Sequence, residues 1–263
     1  LVLVFVLSVA YRDVVFGGKT LLPVGTSPSV TGFAAPQGFR GEIPADTVRR
    51  YPEASLSASY PWTQFIRDSF RNGEVPLWNP YSGAGTPLLA NGESAPFNVL
   101  KLPLLIRSTP RAWDLYFIGR LWLAGMLAYA LARRLGLRPA AASIAPLGFV
   151  LQGYFFIAAN AHWLDVCVFL PLVFIGLEAI LRGRWYAAPL ASLGVTGMFF
   201  AGQVELATIG TVLAGLFLLS RAVAELAENR LRPSRVLWSA VIGALGMVAG
   251  VLLALPRTHS SSS

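Results

Sequence analysis

The stretch Val236-Leu-Trp-Ser-Ala-Val-Ile-Gly-Ala-Leu-Gly-Met-Val-Ala-Gly-Val-Leu-Leu-Ala-Leu-Pro256 carries no charged residue. At a rise of 1.5 Å per residue, a helix of this length covers ~30 Å, the hydrocarbon thickness of a bilayer. Three more charge-free runs precede it: Pro139–Leu164, Trp185–Val204 and Leu206–Ser220. Together they predict helices near 112–132, 139–159, 163–181, 185–201, 205–222 and 236–255. A seventh is expected at 1–16, although its clean apolar run, Leu1–Tyr11, covers only ~16 Å. The chain starts with Leu, so this first helix is read as truncated; the signal-peptide reading lacks a basic n-region and a cleavage site. Residues 256–263, ending His259-Ser-Ser-Ser-Ser, read as a tail or truncation scar. The whole is taken as an N-terminal fragment.

Composition agrees with a membrane class. Of 263 residues, 55% are hydrophobic and 13% charged, about half the soluble norm of ~25%. Mean hydropathy is +0.59. These values exclude a disordered chain and argue against a soluble globule. One cysteine, Cys167, excludes an internal disulfide framework and any multi-cysteine metal site. The net charge of +8 is assigned to loops beside lipid headgroups, with no nucleic-acid partner.

The arginines orient the spans. Arg133, Arg134 and Arg138 share one turn, Arg182 and Arg184 the next on that side, and Arg221, Arg230, Arg232 and Arg235 the third. The opposite turns, Ala158–His162 and Ala201–Val204, hold no Lys or Arg. By the positive-inside rule the arginine turns are cytoplasmic. Residues 17–111 then form a large first external loop, and residues 112–255 a six-helix bundle. Within the loop, residues 17–50 read as irregular. Pro61–Asn72 reads as an amphipathic helix, with Trp62, Phe65, Ile66, Ser69 and Phe70 on one stripe and Gly73 as its stop. Such a helix either lies along the membrane interface or packs on the bundle.

The next segment carries a resemblance. Gly73-Glu-Val-Pro-Leu-Trp-Asn-Pro-Tyr, then Gly83-Ala-Gly-Thr-Pro-Leu-Leu-Ala-Asn, resembles the bacterial YfhO-like membrane protein family. Arg133-Arg-Leu-Gly-Leu-Arg-Pro, Gly153 through His162 with Leu170-Pro-Leu, and Phe200-Ala-Gly-Gln-Val-Glu match it further. In the last turn Gln203 and Val204 stand where the family has His and Pro. The resemblance implies a glycosyltransferase of the GT-C type in the bacterial cytoplasmic membrane. It would take a sugar from a polyprenyl-phosphate donor to a cell-envelope glycan or lipid on the outer face.

Such a transfer needs a carboxylate for the acceptor's proton and polar groups for the departing phosphate. The family pattern places an acid ahead of Pro61-Trp62. Here Glu53 is nearest, with Asp46 behind it, and Asp13 stands where GT-C enzymes keep an acid after helix one. A solvated loop charge is the alternative for each. Substrate contacts are expected from Arg120, His162, Asp165, Glu205 and, within the motif, Trp78 and Asn79. Arg120 falls near the middle of its span and so needs a partner. His162 and Asp165 share an external hairpin and leave a divalent metal open. Glu178 and Arg182 form an ordinary helix pair, and Trp62, Trp78, Trp113, Trp163 and Trp185 an interfacial belt. A transporter or flippase of lipid-linked sugars, or a non-catalytic scaffold, stands as the alternative function.

Overall fold

The computed structural model describes residues 2–21, 58–81, 84–88, 91–153, 155, 163–228 and 231–254. The described residues are mostly helical: α1 (Val2–Ala10), α2 (Arg12–Val15), α3 (Tyr60–Arg71), α4 (Leu102–Ile106), α5 (Pro110–Arg134), α6 (Pro139–Ala142), α7 (Ile144–Val150), α8 (Leu164–Leu181), α9 (Ala188–Phe200), α10 (Val204–Ala227) and α11 (Pro233–Ala254). One antiparallel pair of two-residue strands, β1 (Trp78–Asn79) and β2 (Thr86–Pro87), interrupts the helices.

Among the described residues, four helices, α5, α8, α10 and α11, are long and apolar enough to cross a membrane. Seven were expected from hydropathy. The run at 139–159 breaks at Ser143 into α6 and α7, and Pro146 sits inside the second piece. The run at 185–201 opens with a 3-10 turn, Trp185–Ala187, and leaves α9 with 13 residues, ~20 Å of helix. Apolar composition alone does not register where helical hydrogen bonding is interrupted.

Helix α8 is the hub. It packs against α5, α9, α10 and α11, and 78% of its apolar window is buried against 28% for α10. The α9–α11 contact shows how close approach is achieved. A Cβ on Gly250 would lie 2.5 Å from the Ser192 carbonyl oxygen, so only glycine fits there. The backbones meet closely enough for Thr196 Oγ1 to donate to the Gly250 carbonyl at 3.0 Å as well as to Ser192 O at 2.9 Å. Small residues at such crossings replace the hydrophobic drive that is absent between helices in lipid.

Two ends of the bundle follow from the connections. One, the arginine end, holds Arg134, Arg182 and the start of α11. The other, the cap end, holds the starts of α5, α8 and α10. Thr109 caps α5 by accepting from the Ala112 amide, with Pro110 in the first turn, where its missing N–H is not needed.

Candidate functional site

The cap end is covered by the described part of residues 58–108. Helix α3 lies on protein here. It buries Thr63, Ile66 and Ser69, with Ser59 buried just ahead of it, and packs on α4. Gln64 donates to Ser108 Oγ at 2.6 Å, Arg71 to the Ile106 carbonyl at 3.0 Å, and the Tyr60 ring meets Trp113 at 5.7 Å. The buried face is therefore rotated from the expected apolar stripe. Trp62 and Phe65 are left facing an open cleft.

That cleft, about 640 Å³, is lined on the α3 side by Trp62, Gln64, Phe65, Asp68 and Asn72. Glu74, Asn79 and Tyr81 line it from the following segment. Phe65 and Tyr81 meet edge to face at 5.9 Å. Asn79 Oδ1 accepts from the Tyr81 amide at 3.0 Å, fixing the turn after β1. The motif that carries the family resemblance is thus the hairpin forming one wall. Trp78 pairs with Pro87 across it and Asn79 with Thr86. Gly85, at φ +98°, has its Cβ position 2.5 Å from the Trp78 indole nitrogen, so the ring lies flat over the glycine. Trp78 is half-exposed beside the cleft rather than in its lining.

Among the described residues, the lining combines three aromatic faces, three side-chain amides and two carboxylates, and holds no Lys or Arg. Aromatic faces bind apolar ring surfaces, and amides and carboxylates bind hydroxyls. The two carboxylates oppose a phosphate beside them and admit a neutral or cationic polyol.

Of the acids proposed from sequence, Glu53 and Asp46 lie outside the described residues, as does His162. Asp13 is exposed and pairs with Lys19 at 3.2 Å and Arg12 at 3.7 Å. Glu205, at the start of α10, is exposed. The acids in the cleft, Asp68 and Glu74, carry no local sequence pattern that marks them. Asp114 was missed altogether. It is buried in the first turns of α5, where its Oδ1 accepts from Thr20 Oγ1 at 2.9 Å and the Leu21 amide at 2.7 Å. A signal existed: Asp114 shares its stretch of helix with Trp113, Tyr116 and Phe117, all buried.

Arg120 and Asp165 have become partners. Arg120 Nη1 donates to Asp165 Oδ1 at 2.8 Å, and the two side chains are 1% and 0% exposed. Tyr116 donates to Asp165 Oδ2 at 2.6 Å, and Asn98 Nδ2 donates to the same oxygen. The Tyr116 and Phe117 rings flank the guanidinium at 4.9 and 5.2 Å. Arg120, in the middle part of α5 as expected from the sequence, meets Asp165 in the first turn of α8. A small crevice of about 120 Å³ beside Leu100, Pro103 and Gly119 reaches Tyr116 and Arg120. Asp165 compensates the charge of Arg120, so the pair acts as a lock joining the cap segment, α5 and α8.

Trp113 is buried at 1% and donates Nε1 to Ser108 Oγ at 3.1 Å, so it belongs to the core and not to an interfacial belt. Glu178, buried near the arginine end, accepts from Arg182 and also from Arg221 of α10, which is more than a pair within one helix. No group of three or more metal-ligating side chains occurs among the described residues. Comparison of the chain with protein-family profiles, curated proteins and solved structures finds no match.

Proposed function

We propose that the chain is a multi-pass membrane glycosyltransferase of GT-C type, acting at the outer face of the bacterial cytoplasmic membrane. One observation carries this reading: the cap-end cleft joins aromatic faces, amides and two carboxylates around a volume fit for a saccharide. The resemblance of the cleft's hairpin to the YfhO-like family points to the same chemistry. The acceptor sugar occupies the cleft, and the donor's phosphate stays outside it, away from Asp68 and Glu74. In the transfer, the bond between the donor's anomeric carbon and phosphate oxygen breaks. The acceptor oxygen bonds to that carbon, its proton passes to the Asp68 or Glu74 carboxylate, and polyprenyl phosphate leaves.

The test uses the full chain in vesicles with radiolabelled polyprenyl-phosphate hexose and a cell-envelope glycan. Asp68→Asn and Glu74→Gln are compared with wild type and with Glu53→Gln, Asp46→Asn and Asp13→Asn. The expected result is label in the glycan, lowered ~10²–10⁴-fold by loss of the true base. Lipid-linked label crossing the bilayer with no glycosidic product would replace the enzyme by a transporter. Label transfer untouched by Asp68 and Glu74 but lost with Glu53 would move the base out of the cleft.

A further inference from the structure

The arginine end divides into compensated and uncompensated charge. Glu178 Oε1 accepts from Arg182 Nε at 2.9 Å, and its two oxygens accept from Arg221 at 2.9 and 3.1 Å. Arg221 also pairs with Glu225 at 3.1 Å. Arg182 reaches the Arg134 carbonyl as well, tying α8 to the end of α5. By contrast, Arg184, Arg232 and Arg235 are exposed, and no carboxylate lies within ion-pair distance of them among the described residues. They converge. The Arg235 guanidinium lies over the turn between α8 and α9, with Nη2 3.4 Å from the Cβ position of Gly183, and Arg184 is the next residue of that turn.

The surroundings of this patch are apolar. Trp185 and Tyr186 follow Arg184, are 68% and 65% exposed, and meet edge to face at 6.4 Å. Trp238, 67% exposed, lies three residues after Arg235 on the same side of α11, beside exposed Leu237. Exposed indole and phenol rings beside uncompensated guanidinium groups match a lipid headgroup boundary: rings at headgroup depth, cations at the phosphates.

We infer that the turn at 183–186 and the first turns of α11 bind the phosphate of an anionic phospholipid, held between Arg184 and Arg235 with its acyl chains along Trp238 and α11. The planar guanidinium forks supply paired donors to phosphate oxygens. A soluble phosphate would gain nothing from the exposed rings, and for that reason the ligand is assigned as a lipid.

The experiment is native mass spectrometry of the purified full chain released from vesicles of equal phosphatidylglycerol and phosphatidylcholine. Wild type should retain phosphatidylglycerol selectively. Retention should fall about tenfold to thirtyfold in Arg184→Gln/Arg235→Gln. It should stay near wild type in Arg133→Gln/Arg138→Gln, which removes equal charge from the other turn at this end. Millimolar inorganic phosphate should leave the adduct in place. Undiminished retention in the first variant, equal loss in the second, or displacement by inorganic phosphate would each overturn the assignment.

Discussion

Arg120 and Asp165, forty-five positions apart, form a 2.8 Å ion pair between two fully buried side chains. Each supplies the partner that the other's burial demands, since an unpaired charge in an apolar interior costs several kcal/mol. Their replacement should show it. Arg120→Leu and Asp165→Leu should each destabilise by about 3–5 kcal/mol, and Arg120→Leu/Asp165→Leu by clearly less than their sum. Thermal unfolding in detergent measures the coupling; additive losses would remove the pair as a lock. Arg120→Lys should recover part, because a point charge keeps Asp165 compensated without the planar fork between the Tyr116 and Phe117 rings.

The cleft aromatics bear on saccharide binding rather than proton transfer. Trp62→Ala and Tyr81→Ala should raise the KM for acceptor glycan about tenfold, with kcat changed less than threefold. Whichever of Asp68→Asn and Glu74→Gln removes the base should show the reverse split. A Trp62 variant with lost kcat and unaltered KM would take the ring out of acceptor binding.

Close backbone approach between α9 and α11 rests on Gly250. Gly250→Leu should destabilise the bundle by about 1–3 kcal/mol or more, since the side chain would run into Ser192 and Val195. Thr196→Val, which removes only the hydroxyl bonds at this crossing, should cost about 0.5–1.5 kcal/mol. Equal stability of the Gly250→Leu protein would mean that these helices separate readily.

Orientation is open to direct measurement. In a Cys167→Ala background, an impermeant thiol reagent applied outside should label Gln203→Cys and leave Gly136→Cys and Gly183→Cys unlabelled. The opposite pattern would turn the cap end to the cytoplasm and remove the outer-face chemistry with it.

The sequence by itself determined the helical class, the membrane-type apolarity of α5, α8, α10 and α11, and the arginine-rich turns. These depend on composition and on one-dimensional spacing, which local hydrogen bonding and the cost of burying charge convert directly into helices and ends. It also marked residue 120 as a charge needing a partner, and the Pro76–Tyr81 segment as something built. Tertiary structure alone decided who the partner is. In the sequence Asp165 reads as a hairpin acid beside His162, and only the packing of α8 on α5 brings it to Arg120. The same holds for the cleft. In the sequence Asp68 lies off the apolar stripe of the Pro61–Asn72 helix and Glu74 just past its stop, and they face one space because α3 buries Thr63 and Ile66 and turns Trp62 and Phe65 outward. A helix's rotation about its axis is set by what it packs against, and a single sequence does not record that surface.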